Sequence, residues 1–297
     1  MPTKLGGGAG SLPIDTIMPL NNSEEIHTAS DGSIWLRSGI ITNDFSAYPL
    51  AGRNLAAFFD NFFSYSNETA ASPQGVASDG NFIWVITSTQ AFKYNLDGTY
   101  TGTVKSISGV VGTASGAYWN GSSYLVVDQT GDKIEEFDVD FNSLGTLFAL
   151  TAGAGDSNPE GITSDGSFYY IPERANSPGD SVYIYNLDGS YTGNSFNYGN
   201  EGKNAYGIAF AEGLVWVLTA DADIVSAYTT EGDYTGIFFG VRDSSELANP
   251  GGLSYFNNSF WIIGLDLSIV SEFEKYIGLQ FLSIDSDSQR PLFVRVA

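Results

Sequence analysis

An internal repeat limits the folds open to this chain more tightly than its composition does. Two stretches, Gln74–Gly80 (QGVASDG) and Glu160–Gly166 (EGITSDG), are close variants of one phrase, and looser copies occur elsewhere. With the position of Gly75 as the marker, copies fall at residues 27, 75, 116, 161, 207 and 252, at spacings of 48, 41, 45, 46 and 45 residues. Regular spacing of this kind is typical of an array built from one supersecondary unit.

Each copy has the residue pattern of a four-stranded antiparallel meander. A strand of small residues leads through a turn into a continuous apolar strand such as Phe82–Ile86, which suits burial on both faces. An alternating strand then reaches a second turn, as in Leu96–Gly102 (LDGTYTG) and Leu187–Gly193 (LDGSYTG). Asp-Gly between alternating runs predicts a hairpin with a type I′ turn, which needs positive φ at both central residues.

These meanders predict an all-β fold in which the units stack around an axis. One meander cannot cover both of its own faces, and a closed ring of them does so. Six markers predict a six-bladed β-propeller of four-stranded antiparallel blades, with five or seven blades left open because the first and last units are irregular. We predict a flexible Gly-rich lead and anchoring strand at residues 1–20 and the propeller at residues 21–297. One terminal strand, 14–20 or 290–296, is expected to close the ring, and residues 54–64 allow one or two helical turns.

Charge and composition exclude several classes of function. The 297 residues include 34 Asp and Glu against 12 Lys and Arg, a formal net charge of −22. The chain therefore lacks the basic face that binds nucleic acid or an anionic membrane surface. It has no cysteine, which excludes disulfides, thiolate metal sites and cysteine nucleophiles. We expect a soluble protein, because neither a membrane span of about 20 apolar residues nor a signal peptide is apparent.

The residues available favour binding over catalysis, and we predict that the protein is not an enzyme. The single histidine, His27, lies beside a turn in the irregular first repeat, which is a poor position for the base of a Ser-His-Asp triad. The residues that enter the inner strands are expected to surround one mouth of the channel as a binding site: Gln74, Ser115, Glu160, Tyr206 and Gly251. Glu160, the one acid among them, is either a ligand or base, or the partner of a cation such as Arg174 or Lys203. Gluconolactonase-like propellers hold a metal with Glu, Asn and Asp at such positions, and this set does not match theirs.

Two further patterns concern ligands. We predict no cofactor or metal, although calcium suits the composition because it takes oxygen ligands alone. Three Asp-x-Asp pairs offer such oxygens without the glycine and distal Glu of a calcium loop: Asp138–Asp140, Asp221–Asp223 and Asp285–Asp287. Aromatic residues with amide or hydroxyl neighbours suit stacking on sugar rings, namely those near Tyr48, Tyr65, Tyr198 and Tyr255. Strand composition alone would also produce such aromatics.

The ends of the chain resemble proteins of tailed bacteriophages. Asp31–Gly39 (DGSIWLRSG), followed by Ser46–Pro49 (SAYP), is similar to the DG-x-x-W-L…Y-P segment of tail-fibre and tail-associated proteins. Arg290–Ala297 (RPLFVRVA) is similar to the short strand that often ends such proteins. In the repeat, Tyr94–Gly102 (YNLDGTYTG) resembles propeller repeats of marine bacteria and their phages.

This resemblance implies a structural or receptor-binding component of a phage tail or capsid. Such a protein is made in the host cytoplasm and resides in the virion, where it binds other virion proteins and a host-surface receptor or glycan. Two alternatives stay open: a glycan-binding or glycan-degrading propeller, and a cellular propeller that binds a protein partner. Host envelopes are mostly anionic, so salt, divalent cations or short-range contacts have to overcome the repulsion of an acidic protein.

Overall fold

The chain forms two compact units in a computed structural model that describes part of its length. The described residues are 14–20, 24–29, 34–38, 53–54, 59–64, 72–151, 158–174, 180–199, 204–219, 222–241, 250–264, 269–274 and 293–296. Unit 1 comprises residues 1–49 with 275–297, and unit 2 comprises residues 50–274. This division differs from the predicted boundary after residue 20. Within the described residues, no helix is long and apolar enough to cross a membrane.

The described strands of unit 1 form one sheet built from both ends of the chain. Its strands, in spatial order, are β1 (Ile14–Leu20), β2 (Glu24–Ala29), β3 (Ile34–Ser38) and β25 (Phe293–Val296). Neighbouring strands are antiparallel, and Phe293 of β25 pairs with Arg37 of β3. Both terminal segments are therefore strands, as predicted, but they pair within this sheet and the prediction that one of them closes the propeller is wrong. The marker at residue 27 lies in the same sheet.

The described strands of unit 2 form five sheets, which we call blades I to V. Blade I contains β6 (Pro73–Ser78), β7 (Phe82–Thr87), β8 (Gln90–Asn95) and β9 (Tyr100–Ser106). Blade II contains β10 (Ala114–Trp119), β11 (Tyr124–Asp128), β12 (Lys133–Phe137) and β13 (Ser143–Ala149). Blade III contains β14 (Thr163–Ser164), β15 (Phe168–Glu173), β16 (Ser181–Asn186) and β17 (Tyr191–Asn197). In each blade, consecutive strands pair antiparallel, as the repeat predicts.

Blades IV and V complete the set with strands from two parts of the chain. Blade IV contains β18 (Ala205–Ala211), β19 (Leu214–Thr219), β20 (Ile224–Tyr228) and β21 (Tyr234–Gly240), and β4 (Arg53–Asn54) pairs parallel with β21. Blade V contains β22 (Pro250–Phe256), β23 (Ser259–Gly264), β24 (Ile269–Glu274) and β5 (Phe59–Ser64). The strand β5 pairs antiparallel with β24 and supplies the outer strand of the last blade. The segment in which we allowed helical turns therefore contains strands β4 and β5.

The ring closes with five blades, so the prediction of six is wrong. The five marker glycines of the inner strands touch in sequence around the axis. A Cβ placed on Gly75 would lie 3.0 Å from Gly116 Cα, and one on Gly116 would lie 2.8 Å from Gly161 Cα. A Cβ on Gly161 would lie 3.6 Å from Gly207 Cα, and one on Gly207 would lie 3.0 Å from the carbonyl carbon of Gly252. A Cβ on Gly252 would lie 3.4 Å from Gly75 Cα, so the last inner strand meets the first.

Each interface between adjacent blades has its own apolar cluster. Trp84 of blade I packs among residues of blade II, and Trp216 of blade IV packs among residues of blade V. The closing interface has the same construction, because Trp261 of blade V packs against Val76 and Val85 of blade I. The second strands are buried almost throughout, as their continuous apolar runs predict.

The Asp-Gly turns differ in type from the prediction. Gly98 has a φ of 79°, while Asp97 has no positive φ, and the N–H of Gly98 donates to the carbonyl of Asn95 at 3.0 Å. This geometry is a type I turn followed by a left-handed glycine, the usual three-residue hairpin loop. Two features require glycine at this position. Its φ is positive, and a Cβ at Gly98 would lie 2.5 Å from Cβ of Phe63 in the neighbouring blade V.

Candidate functional site

The five residues predicted to surround the channel mouth occupy one equivalent position in the five blades. In the inner strands of blades I, II, IV and V, the pairing with the second strand shifts by one residue at the same place. The residues left without a partner in the ladder are Gln74, Ser115, Tyr206 and Gly251, respectively. In blade III, the shift falls between the Pro159–Glu173 bridge and the Thr163–Tyr170 pair, a stretch that includes Glu160. A β-bulge leaves one residue out of the ladder and redirects its side chain. The structure therefore places all five predicted residues at bulges beside the glycine ring.

Glu160, the one acid of this group, is buried and has a shifted pKa. Its side chain is 5% exposed, its Oε1 lies 3.2 Å from Nε of Arg174, and Nε2 of Gln129 donates to the same oxygen at 2.9 Å. Burial raises the pKa of Glu160 to about 7, although Arg174 and the hydrogen bond from Gln129 both act to lower it. A buried carboxyl with such a pKa changes its protonation state close to neutral pH. The pairing with Arg174 that the sequence suggested is confirmed, and Lys203 lies outside the described residues.

Arg174 joins the bulge residues of two blades. Its Nη1 donates to the hydroxyl of Tyr206 at 3.0 Å, and its guanidinium carbon lies 5.2 Å from the centroid of the Tyr206 ring. Its own backbone N–H donates to the carbonyl of Asn158 at 3.0 Å, which fixes Arg174 directly after the end of β15. The guanidinium therefore connects Glu160 of blade III with Tyr206 of blade IV through one planar group.

The remaining bulge residues differ in polarity and in their bonding from blade to blade. Ser115 is buried, and its hydroxyl donates to the carbonyl of Pro159 in blade III at 2.5 Å. Gln74 is half-buried, and its amide donates only a long 3.4 Å bond to the nearby carbonyl of Ser72. Gly251 has no side chain. Polar groups with fixed partners thus lie on blades II to IV, while blades V and I contribute a glycine and a loosely held amide.

Two residues of the site were missed or misjudged from the sequence. Gln129 follows β11 directly, in the loop between the second and third strands of blade II. Such loops lie at the end of the blade where the inner strand begins, and this placement was the signal that could have found it. Tyr198 is fully buried and not available to stack on a sugar, because its hydroxyl donates to the carbonyl of Glu173 and accepts the N–H of Ala205, each at 3.0 Å.

We use the name channel mouth for the five bulge residues together with Gln129 and Arg174.

Burial, the nearby Asp180 and Glu160, and a hydrogen bond to Asp180 raise the pKa of Tyr198, although the bond from Ala205 opposes them. Tyr198 is therefore a neutral hydroxyl close to Glu160. The described groups of the mouth offer hydrogen-bond donors and acceptors, and Glu160 can give or take one proton near neutral pH.

Those of the other candidate ligands that the structure describes do not gather into a site. The carboxylate of Asp138 accepts hydrogen bonds from the backbone N–H groups of Asp140 and Asn142, so it stabilises the turn in which it lies. Across the described stretches, no group of three His, Cys, Asp or Glu side chains is placed to hold a metal ion. His27 lies in β2 of unit 1, and Tyr255 packs on Phe260 at 5.0 Å. Several predicted residues lie outside the described ones: Tyr48, Tyr65, Asp221 and Asp285–Asp287.

Comparisons with known proteins show the fold and no family. No protein-family model and no curated protein sequence matches the chain. The crystal structure of Myxococcus xanthus glutaminyl cyclase matches with a TM-score of 0.59 at 10% identity, over 74% of this chain and 96% of that one. A Bacteroides caccae protein of unknown function matches with a TM-score of 0.48 at 16% identity, over 84% of this chain and 81% of that one. A Staphylococcus aureus virginiamycin B lyase matches with a TM-score of 0.44 at 15% identity, over 72% and 73%. The chain thus contains a β-propeller of four-stranded antiparallel blades.

Proposed function

We propose that this protein is a recognition component of a phage virion, in which the propeller of unit 2 binds a polar ligand at the channel mouth without converting it. The main support is that residues from different blades, Glu160, Arg174 and Tyr206, are joined there by charge-assisted contacts. Binding sites on β-propellers are built where the ends of several blades meet. The proposed partners are other virion proteins and a receptor or glycan of the host surface.

The proposed virion role draws its support from unit 1. The two segments that resemble phage proteins lie at opposite ends of the sequence, yet their strands β3 and β25 pair with each other in one sheet. The remaining parts of those segments, among them Ser46–Pro49 and residues 290–292, lie outside the described residues. Because both segments belong to unit 1, we propose that unit 1 attaches the protein to the virion and that the propeller is the part presented.

A protein inventory of purified particles tests this proposal. Mass spectrometry of particles from a lysate of cells that make the protein is expected to detect peptides of this chain in a constant ratio to known particle proteins. The ratio should persist through a density gradient, which removes adhering cell proteins. Peptides found only in the soluble lysate would contradict the virion role.

A second candidate is catalysis at the same mouth, and the raised pKa of Glu160 favours it. An acid or base that works near neutral pH needs such a pKa. Breaking a glycosidic bond usually takes two carboxyl groups, and the other four bulge residues offer none, so the glycan alternative is better supported as binding than as degradation. Proton transfer at a single carboxyl suits the closure of an N-terminal glutamine to a lactam with release of ammonia.

Ammonia release from a peptide with N-terminal glutamine distinguishes catalysis from binding. If the second candidate holds, the protein releases ammonia and Glu160→Gln lowers the rate by about 100-fold or more, as expected for the loss of a general acid or base. The matched control is Glu231→Gln, a fully exposed turn residue, which should leave the rate unchanged. A wild-type protein without ammonia release would exclude this reaction and leave recognition as the function.

A further inference from the structure

Arg174 has one side in contact with protein and one side toward solvent. Its Nε contacts Glu160 and its Nη1 donates to Tyr206, while its side chain remains 31% exposed against 5% for Glu160. Among the described residues, no partner contacts its second terminal nitrogen. A guanidinium presents its donors as a rigid planar fork that matches a carboxylate in two parallel hydrogen bonds. The exposed edge of Arg174 is therefore built to receive a second anion.

Glu160 limits how strongly that edge attracts an anion. When Glu160 is ionised, its charge balances that of Arg174 at 3.2 Å, and an incoming carboxylate meets a nearly neutral pair. When Glu160 is protonated, the charge of Arg174 is no longer balanced by it. An anion beside Arg174 also favours the neutral form of Glu160, since like charges in one buried site raise each other's pKa.

Among the described residues, the groups that contact this pair are neutral or already bonded. Tyr206 accepts from Arg174 and Gln129 donates to Glu160. Tyr198 donates to the carbonyl of Glu173, and its hydroxyl lies 3.5 Å from Oδ1 of Asp180. Two further acids of the described residues contact Tyr198: Asp180, whose Oδ1 is also 3.4 Å from the backbone nitrogen of Asn204, and Glu173, which precedes Arg174 and is 5% exposed.

We propose that Arg174 binds a carboxylate group of the ligand and that Glu160 takes up one proton as this anion binds. This inference rests on the proposed recognition function and names the chemical class of its ligand: an acidic sugar or another small carboxylate. It explains how a protein with a net charge of −22 recognises an anionic surface. The bound proton cancels the charge that the ligand brings, and the contact is made at short range, where salt screening matters little.

Titration with glucuronate and with glucose as its neutral counterpart tests the proposal. By linkage, affinity for glucuronate should be constant below about pH 6 and fall about tenfold for each pH unit above 7. Calorimetry in two buffers of different ionisation enthalpy should show uptake of about one proton per ligand near pH 7.5. Glucose should bind at least about tenfold more weakly, because it cannot form the bidentate pair.

Three variants separate the roles of the two residues. Glu160→Gln should keep its affinity for glucuronate from about pH 5.5 to 8.5, because the linked proton is gone. Arg174→Gln should lose glucuronate binding by about 100-fold at every pH. Lys105→Gln removes the same charge from an outer strand of blade I, where Lys105 donates to Asn142, and should bind like the wild type.

The outcomes also separate this inference from the proposed function. Equal affinity for glucose and glucuronate, unchanged by pH or by Arg174→Gln, would overturn the carboxylate inference and leave the mouth as a binding site. A fall in affinity with pH that persists in Glu160→Gln would overturn the proton uptake. Binding of neither sugar by a folded wild-type protein would overturn the inference, whereas the virion role is decided separately by the particle inventory.

Discussion

Gly207→Ala is expected to destabilise the propeller severely, whereas Gly161→Ala is expected to be tolerated. Both glycines belong to the closed ring, and neither has a positive φ, so the comparison isolates steric contact. A Cβ on Gly207 would lie 2.8 Å from Cβ of Leu253 and still closer to the backbone nitrogen of Leu253. Backbone atoms of two inner strands cannot move apart without opening the ring. Overpacking of this kind costs about 3 kcal/mol or more of unfolding free energy.

The matched position shows why the expected effects differ. A Cβ on Gly161 would meet Cγ2 of Ile208 at 3.3 Å and no backbone atom closer than 3.4 Å. The isoleucine side chain can shift by a few tenths of an ångström, and alanine also reduces the entropy of the unfolded chain, so the net change should stay within about 1 kcal/mol. Urea unfolding followed by tryptophan fluorescence measures both variants. Equal losses at the two positions would refute the steric origin of the effect.

The repeat predicted the blade but not the number of blades. Strand order, buried second strands and hairpins follow from local residue patterns, and each repeat contains the full pattern. The number of blades depends instead on where the inner strands meet, as Gly252 does with Gly75. That contact joins residues far apart in sequence, and no single repeat contains information about it. The marker at residue 27 resembles the others locally but belongs to the sheet of unit 1.

The segment before the first blade shows how pairing overrides local preference. Residues 54–64 contain alanines and phenylalanines in an order compatible with a helical turn. The third strand of blade V leaves its backbone N–H and C=O groups unpaired unless a fourth strand joins it, and β5 does so from Phe59 to Ser64. The unpaired strand β24 lies at the other end of the unit 2 sequence, so residues 54–64 by themselves do not indicate that a strand is needed.

At the site, the sequence predicted positions better than interactions. Counting from the repeat located the five bulge residues, because they hold one place in the repeating unit. It did not show that Gln129 donates to Glu160, since the two are 31 residues apart and lie in different blades. It also placed Tyr198 among the aromatic residues suited to stack on a sugar ring, although Tyr198 is fully buried. Burial of single side chains depends on neighbours from the next blade, which a repeat does not specify.

Glu160→Gln is expected to stabilise the protein at neutral pH and to leave its stability in acid unchanged. The pKa of Glu160 is about 7 in the folded protein, against a reference value of 4.5. Below pH 4.5 both states are protonated, and the contribution of the neutral group to stability is fully present. As pH rises toward 7, only the unfolded state gives up its proton, so stability falls, and above 7 the loss is constant. The full loss in unfolding free energy amounts to about 3 kcal/mol. The glutamine variant does not show this loss, because its side chain does not ionise.

Unfolding free energies of the wild type and Glu160→Gln, measured in urea from about pH 4 to 8, test this expectation. The two curves should meet in acid and separate progressively up to pH 7. Glu231→Gln is the control, because Glu231 is fully exposed and hydrogen bonds lower its pKa, so it should show no gain at neutral pH. Parallel curves for the wild type and Glu160→Gln would mean that Glu160 is not perturbed by burial. A gain confined to Glu160→Gln would show that the protein keeps a carboxyl at the channel mouth despite its cost to stability, as a residue retained for ligand binding or proton transfer should be.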